Sequence, residues 1–296
     1  MSFLTLLFLV LLGIAFGSFL NVVVLRYNPE KRFFSYKYLK GRSHCPNCQK
    51  NLSWYELVPI FSFIFQLGKC KGCSKKISWQ YPVVEVLCGI IFPIVTMVIW
   101  KSFFAVLVGS NIWLLWGVAS IWILVVLSLI CVFLVDLKYY IIPNGLNLFI
   151  FFLGVLWTAI GWKMGLFNSF TQGSFLNEFA PLFPMFANPV FNHLVGMVIA
   201  VLFLFGIVFI SGGRAMGMGD VKLIAGLGLL FGWPDAIVIV FLSFIIGAIF
   251  SLGLIALRKK HLRDKVPFGP FIVIATLVVF FFGAGLISSY FGIIGM

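Results

Sequence analysis

The sequence predicts an all-α polytopic membrane protein of about eight transmembrane helices, with a small cytoplasmic zinc-binding module between the first two spans. Three observations carry that prediction. The chain is apolar almost throughout, its cations fall on one side of an alternating set of apolar runs, and four cysteines stand in two close pairs inside the first loop.

Of 296 residues, 62% are apolar in the broad sense, 36 are Phe, and only 10% are charged. A soluble domain carries about 25% charged residues, so a water-facing globule is excluded. So are collagen, disordered tails and disulfide-rich secreted scaffolds. The mean hydropathy of +1.14 agrees.

The apolar runs lie at about 3–25, 83–100, 112–135, 141–162, 190–211, 221–233, 236–257 and 268–292. The first reads as a helix that stays in place, not as a cleaved signal: it has no basic flank before it and no small-residue cleavage site after it. Residues 1–25 therefore form the first span, 26–82 a loop module, and 83–296 a second membrane domain. Within the latter, 163–190 is rich in Phe but broken by Gly, Pro, Asn and Ser, and is expected outside as a loop or interfacial helix.

The formal net charge is +13, from 21 Lys and Arg against 8 acids. That balance does not point to nucleic acid, because the cations cluster at span ends. Residues 26–82 hold 11 of them, 258–265 hold five more, and Lys138, Arg214 and Lys222 sit at other ends on the same side. Only Lys101 and Lys163 fall opposite. Lys and Arg excess marks the cytoplasmic face, so the N-terminus is expected outside and the 26–82 module inside.

In that module Cys45-Pro-Asn-Cys48 and Cys70-Lys-Gly-Cys73 make two CxxC pairs. Two such turns can present four thiolates tetrahedrally to Zn²⁺. A redox pair, disulfides or free thiols are the alternatives, and a reducing cytoplasm disfavours disulfides. A four-thiolate site leaves no open position for water, so it would be structural, a staple for a module too small to be secure alone. Cys88 and Cys131 read as packing residues. His44 reads as exposed or as a neighbour of the ligands, and His193 and His261 have no partner that suggests catalysis.

Acids at membrane depth are costly and mark function. Three qualify: Glu85, Asp136 and Asp220. Asp136 ends the third run and Asp220 opens the sixth, so both fall at cytoplasmic ends of their helices. Two carboxylates brought together in a low-dielectric site share a proton. One can then act as base on water while its protonated partner polarises a carbonyl, which is acid–base peptide hydrolysis. By helix polarity Asp220 would be the ionised member and Asp136 the protonated one. The alternative is two unrelated interfacial acids, each beside a lysine, Lys138 or Lys222. Gly217 and Gly219 before Asp220 allow the backbone to bend and a partner to approach closely. Pro143, and Pro267-Phe-Gly269-Pro before the last span, add irregular backbone of the kind that lines cavities.

These residues, taken together, resemble the type IV prepilin peptidases, the membrane aspartyl proteases of the GxGD class. The matching pieces are Gly17-Ser-Phe-Leu-Asn-Val-Val23, the paired CxxC motifs, Glu56-Leu-Val-Pro59 and Ile77-Ser-Trp-Gln-Tyr-Pro-Val-Val-Glu85. They continue with Asp136, Ile142-Pro143-Asn144, Gly217-Met-Gly-Asp220-Val-Lys222 and Pro267-Phe-Gly-Pro270. The resemblance implies a bacterial inner-membrane enzyme that cuts the basic leader from type IV prepilins or pseudopilins at the cytoplasmic face. The cut follows a Gly and precedes a residue that is usually Phe. It implies Asp136 and Asp220 as the catalytic pair, and N-methylation of the new terminus with S-adenosylmethionine, associated with the cysteine module.

Many members carry a second Asp two residues after the first and end the next motif in Pro-Asp; here those positions are Lys138 and Asn144. Segment 163–190 is also longer than the resemblance leads one to expect. Because both module and leader are basic, Glu30, Glu56 and Glu85 are the local acids available to a leader or a pilin amine. Glu56 and Glu85 are the candidates for substrate or methyl-donor contact, with a structural acid as the alternative for Glu85. Membrane lipid is the remaining expected partner. A transporter using the same aspartates lacks visible inverted repeats, and an assembly protein with inert aspartates is the third class.

Overall fold

The structure is a computed structural model that describes residues 2–30, 33, 41–107, 112–163, 174–176, 188–259, 261 and 264–294. Among them the architecture is helical, with two isolated bridges and no sheet. The chain divides into two compact units, Met1–Trp100 and Lys101–Met296, with the division inside one long helix. The greater part of 163–190 lies outside the described residues.

The first unit opens with α1 (Phe3–Arg26), whose first turn is capped by the Ser2 hydroxyl accepting the Thr5 N–H. After the loop module, with its short α2 (Phe61–Phe65), comes α3 (Gln80–Leu107). α1 meets α3 through Gly13 and Gly17: a Cβ at Gly13 would stand 2.4 Å from the Cys88 carbonyl oxygen, and one at Gly17 would stand 2.8 Å from the Glu85 Cα. Small residues four apart let backbones touch, which is how helices associate where lipid removes the hydrophobic drive. Asn21 is fully buried there, donating to the Tyr81 carbonyl and accepting from Gln80.

The second unit contains α4 (Ile112–Tyr139), α5 (Asn144–Lys163), α6 (Pro189–Ser211), α7 (Met218–Phe231), α8 (Asp235–Ala256) and α9 (Gly269–Ile294). Among the described residues, seven helices are long and apolar enough to cross a membrane; the remaining apolar run, expected at 221–233, is α7. Its 14 residues span about 21 Å, short of the ~30 Å hydrocarbon core.

Helix α7 is buried along nearly its whole length, between α5 and α6. A Cβ at Gly228 would lie 2.5 Å from the Met197 Cα, so only a bare backbone fits that crossing. Past its C-terminal end, Trp122 is ringed by Trp157, Phe175, Phe231 and Phe280, with centroids 4.9–5.6 Å away. The core of this unit is therefore aromatic at one end of α7 and polar at the other.

A candidate aspartate site and a four-cysteine centre

Asp136 lies in the last turn of α4, and Asp220 is the third residue of α7. Both are buried, at 4% and 7% exposure. They are close enough that the charge of Asp136 is felt at Asp220. Two positions 84 residues apart in sequence are thus brought to neighbouring corners of the fold.

Each carboxylate is held by backbone. Asp136 Oδ2 accepts the Gly269 N–H at 3.0 Å, and Asp220 Oδ2 accepts the Gly217 N–H at 3.3 Å. Gly269 is the first residue of α9 and Gly217 the N-cap of α7. Both acids therefore meet a helix N-terminus, so helix polarity does not separate their roles as the sequence suggested.

The three glycines differ in what they permit. A Cβ at Gly269 would sit 2.6 Å from Asp136 Oδ2, displacing the carboxylate. At Gly219 it would stand 3.3 Å from the Ile142 Cβ, a tight fit. At Gly217 the nearest atom would be Asp220 Oδ2 at 3.7 Å, an ordinary contact, and the backbone there is extended (φ −87°). Ile142 also lies 3.1 Å from the position of a Gly269 Cβ, so the α4–α5 turn bearing Ile142-Pro143-Asn144 wedges between the two carboxylate-bearing corners. Pro267 precedes α9, and Pro270 falls in its first turn, where a missing N–H costs nothing.

Neither lysine pairs with a site acid among the described residues. Lys138 Nζ lies 4.9 Å from the Tyr139 ring centre, and Lys222 Nζ donates to Asn144 Oδ1 at 2.9 Å. The Asn144–Lys222 bond ties the start of α5 to the first turns of α7. Asn147 adds a tie that sequence reasoning missed: its Nδ2 donates to the Gly219 carbonyl at 3.2 Å, and its buried Oδ1 has no partner. The signal for it was a lone amide in the apolar run Leu146-Asn-Leu-Phe.

The four cysteines converge. Cys45 and Cys73 Sγ lie 3.9 Å apart, Cys48 and Cys70 Sγ 4.0 Å, and all four sulfurs fall within 4.8 Å of one another. Zn–S bonds of about 2.3 Å at tetrahedral angles put sulfurs about 3.8 Å apart, so the cluster fits zinc. The two halves use one turn twice. Cys45 N–H donates to the Lys50 carbonyl and Cys70 N–H to that of Lys75, while Gln49 and Ser74 each take positive φ. The Cys48 and Asn47 backbone N–H groups pull the Cys45 thiol down to about 6. At Cys73 the Lys75 N–H pulls the same way, but desolvation and the three neighbouring sulfurs push the thiol up to about 11. Four thiolates at this spacing need a cation between them. His44 is exposed and outside the cluster, as expected.

Glu56 and Glu85 lie in the first unit. Glu56 Oε2 accepts the Ser53 N–H at 2.8 Å, and its Oε1 pairs with Lys50 at 3.5 Å. The Ser53 N–H first, then Lys50, hold its carboxyl below the usual range. Glu85 Oε2 accepts the Ile60 N–H at 2.7 Å, and Ser18 also hydrogen-bonds to this carboxylate.

Comparison with known proteins gives two family matches. The bacterial peptidase A24 N-terminal domain matches residues 11–101, and the type IV leader peptidase family matches residues 122–252. The prepilin leader peptidase/N-methyltransferase of Aeromonas salmonicida is 30% identical, over 95% of this chain and 91% of its own. The Pseudomonas aeruginosa protein of that name is 29% identical over 95% and 91%, and the Bacillus subtilis one 29% over 84% and 85%. No solved structure matches.

Proposed function

Since the chain belongs to the type IV leader peptidase family, we propose that it removes the leader from type IV prepilins or pseudopilins with Asp136 and Asp220 as the hydrolytic pair. The carrying observation is that two buried carboxylates, on α4 and α7, are each fixed by a glycine N–H, while Ile142 packs against the glycines beside both. The pair holds one proton between them. The ionised member takes a proton from water as its oxygen attacks the scissile carbonyl carbon. The protonated member donates to the carbonyl oxygen, and the tetrahedral species collapses as the leaving amide nitrogen is protonated. The backbone N–H groups of Gly217 and Gly269 orient the carboxylates, and the missing side chain at Gly269 leaves room for the Asp136 carboxylate itself.

The relatives' names join peptidase to N-methyltransferase. In this reading the 26–82 module serves the methyl transfer, with S-adenosylmethionine as donor, and 83–296 carries the peptidase. Zinc at Cys45, Cys48, Cys70 and Cys73 would stiffen that module without entering the chemistry, since four thiolates fill a tetrahedron. Glu56 and Glu85 hold backbone in this reading. The cation distribution supports a cytoplasmic location for the module and the aspartates, in a bacterial inner membrane with the N-terminus outside.

The test is a cleavage assay in liposomes, using a precursor pilin with wild type, Asp136→Asn and Asp220→Asn, each with and without S-adenosylmethionine and read by intact mass. Loss of cleavage in both variants, with zinc still bound, supports the pair, and a gain of one CH₂ on the wild-type product supports methyl transfer. Cleavage retained in either variant overturns the two-aspartate mechanism.

A further inference from the structure

Between its two cysteine turns the module carries the segment Trp54-Tyr-Glu-Leu-Val-Pro-Ile-Phe-Ser-Phe-Ile-Phe-Gln-Leu67. A module standing in water would turn these side chains inward. Instead Phe61, Ile64 and Phe65 are exposed, Trp54 and Leu67 are 79% and 86% exposed, and Trp79 beyond the second cysteine pair is 72% exposed. Soluble surfaces rarely tolerate a contiguous apolar face of this kind.

Two features say what covers it. The first is depth. Ile60 donates its N–H to Glu85, which lies in the second turn of the spanning helix α3. Ile60 takes φ +61° and ψ −55°, a strained conformation for a β-branched residue, closed locally by the Phe61 N–H donating to the Pro59 carbonyl and held from α3 by the Glu85 tether. Ile60 also lines an open apolar groove of about 370 Å³ with Val10 and Ile14 of α1 and Val86 and Ile90 of α3. Ile14 precedes the C-terminal Arg26 of α1 by twelve residues, about 18 Å along the axis. The hydrocarbon core is ~30 Å thick, so the loop borders side chains from the middle of a span. Ile60 thus lies beside the exposed apolar side chains Val86, Ile90 and Ile94 of α3.

The second feature is charge. The cysteine turn that follows presents Lys69, Lys71, Lys75 and Lys76, all exposed, and Lys71 Nζ lies 4.9 Å from the Tyr55 ring centre. Aromatic and aliphatic side chains edged by cations are the signature of segments that lie in a membrane interface on anionic lipid.

We propose that residues 54–67 form a monotopic wedge. It is buried among the acyl chains of the leaflet on the module's own side, with Lys69, Lys71, Lys75 and Lys76 over anionic head groups. The zinc module is then seated in the membrane surface, and Glu85, through Ile60, is the positioning residue that sets its depth.

The test uses the full chain in nanodiscs of phosphatidylethanolamine and phosphatidylglycerol containing a phospholipid with a diazirine on its acyl chain. After irradiation, cross-linked peptides are mapped by mass spectrometry. The expected result is acyl-chain label on 54–67 comparable to that on α1, and loss of most of that label in Phe65→Glu/Leu67→Glu, with the α1 label and bound zinc kept. Label on α1 with none on 54–67 in the wild type overturns the proposal, whatever the variant does. A parallel arm adds a precursor pilin carrying a photoreactive group in its apolar helix. Cross-linking of 54–67 to that helix, with no acyl label when the precursor is absent, would assign the face to substrate and also overturn the wedge. Neither arm depends on peptidase or methyltransferase activity, so failure here is distinct from failure of the enzymatic assignment.

Discussion

The two ends of α7 hold buried acids in opposite ways. At its start lie Asp220 and, on α4, Asp136, and the Oδ2 atom of each takes a backbone N–H from a glycine. Beyond its end, Asp235 opens α8 with no exposure at all, and both its oxygens are occupied. Oδ1 meets the Ser174 hydroxyl at 2.5 Å, and Oδ2 accepts the Phe175 N–H at 2.8 Å. Asp235 was not among the acids the sequence singled out at membrane depth. In the fold it pins residues 174–176, seating Phe175 against Trp122, Phe231 and Phe280. The lesson is that burial of a carboxylate does not by itself mark chemistry. An acid with both oxygens bonded to its own chain is a latch. Under the proposed function, an acid held by a single backbone N–H beside another acid keeps an oxygen for proton exchange.

The largest effect that follows is on cleavage. Asp136→Asn and Asp220→Asn each should lower the turnover of a precursor pilin by about 10²-fold or more, the range for removing a general acid or base, while the thermal midpoint stays near wild type. Asp235→Asn should do the reverse. It leaves turnover close to wild type but lowers stability by about 1–3 kcal/mol, because one buried donor loses its acceptor. Thermal unfolding in detergent and cleavage rates measured on the same samples decide it. A dead but fully stable Asp235 variant would erase the distinction between the two ends.

The glycines sharpen the comparison at the Asp136 end. Gly269→Ala should slow cleavage strongly, since its methyl group would displace the Asp136 carboxylate; a strain of about 1–3 kcal/mol is typical of such overpacking. Gly219→Ala should have a smaller effect through Ile142, and Gly217→Ala the smallest, because its Cβ finds ordinary contact distance. Initial cleavage rates ranked in any other order would show that the peptide, not the carboxylate, needs the space.

The smallest effect on cleavage is expected from the metal centre. Cys45→Ser, or zinc removal by a chelator, should abolish bound zinc and loosen 41–76 to protease while pilin cleavage continues. Limited proteolysis alongside a zinc assay reads this directly. Loss of cleavage on chelation would tie the first unit to the hydrolytic step.

Much of this was legible beforehand. Lipid requires every exposed backbone group to be satisfied within its own helix, so spans announce themselves as long apolar runs. The cysteine centre was legible because each half is a local turn: Cys-x-x-Cys followed by a residue at positive φ needs nothing distant to form. Asp136 and Asp220 were legible as acids where acids are expensive. The apolar run 221–233 was legible as a helix but not as a short, interior one, because hydropathy does not distinguish a face against lipid from a face against protein. Asn147 was not singled out, since its partner is a carbonyl on another helix and no spacing rule links the two.

By itself, then, the sequence determined the helices and the thiol cluster, and it singled out the two aspartates as costly acids. These follow from local chemistry: solvent preference residue by residue, and turns closed within a few bonds. Only the tertiary structure decided that both aspartates meet helix N-termini, that Gly269 and not Gly217 guards a carboxylate, and that Asp235 is a latch. It also decided that Glu85 reaches back to Ile60. Each of these depends on which backbone comes to rest beside which side chain across tens of residues, and that is set by packing between helices rather than by the pattern within any one of them.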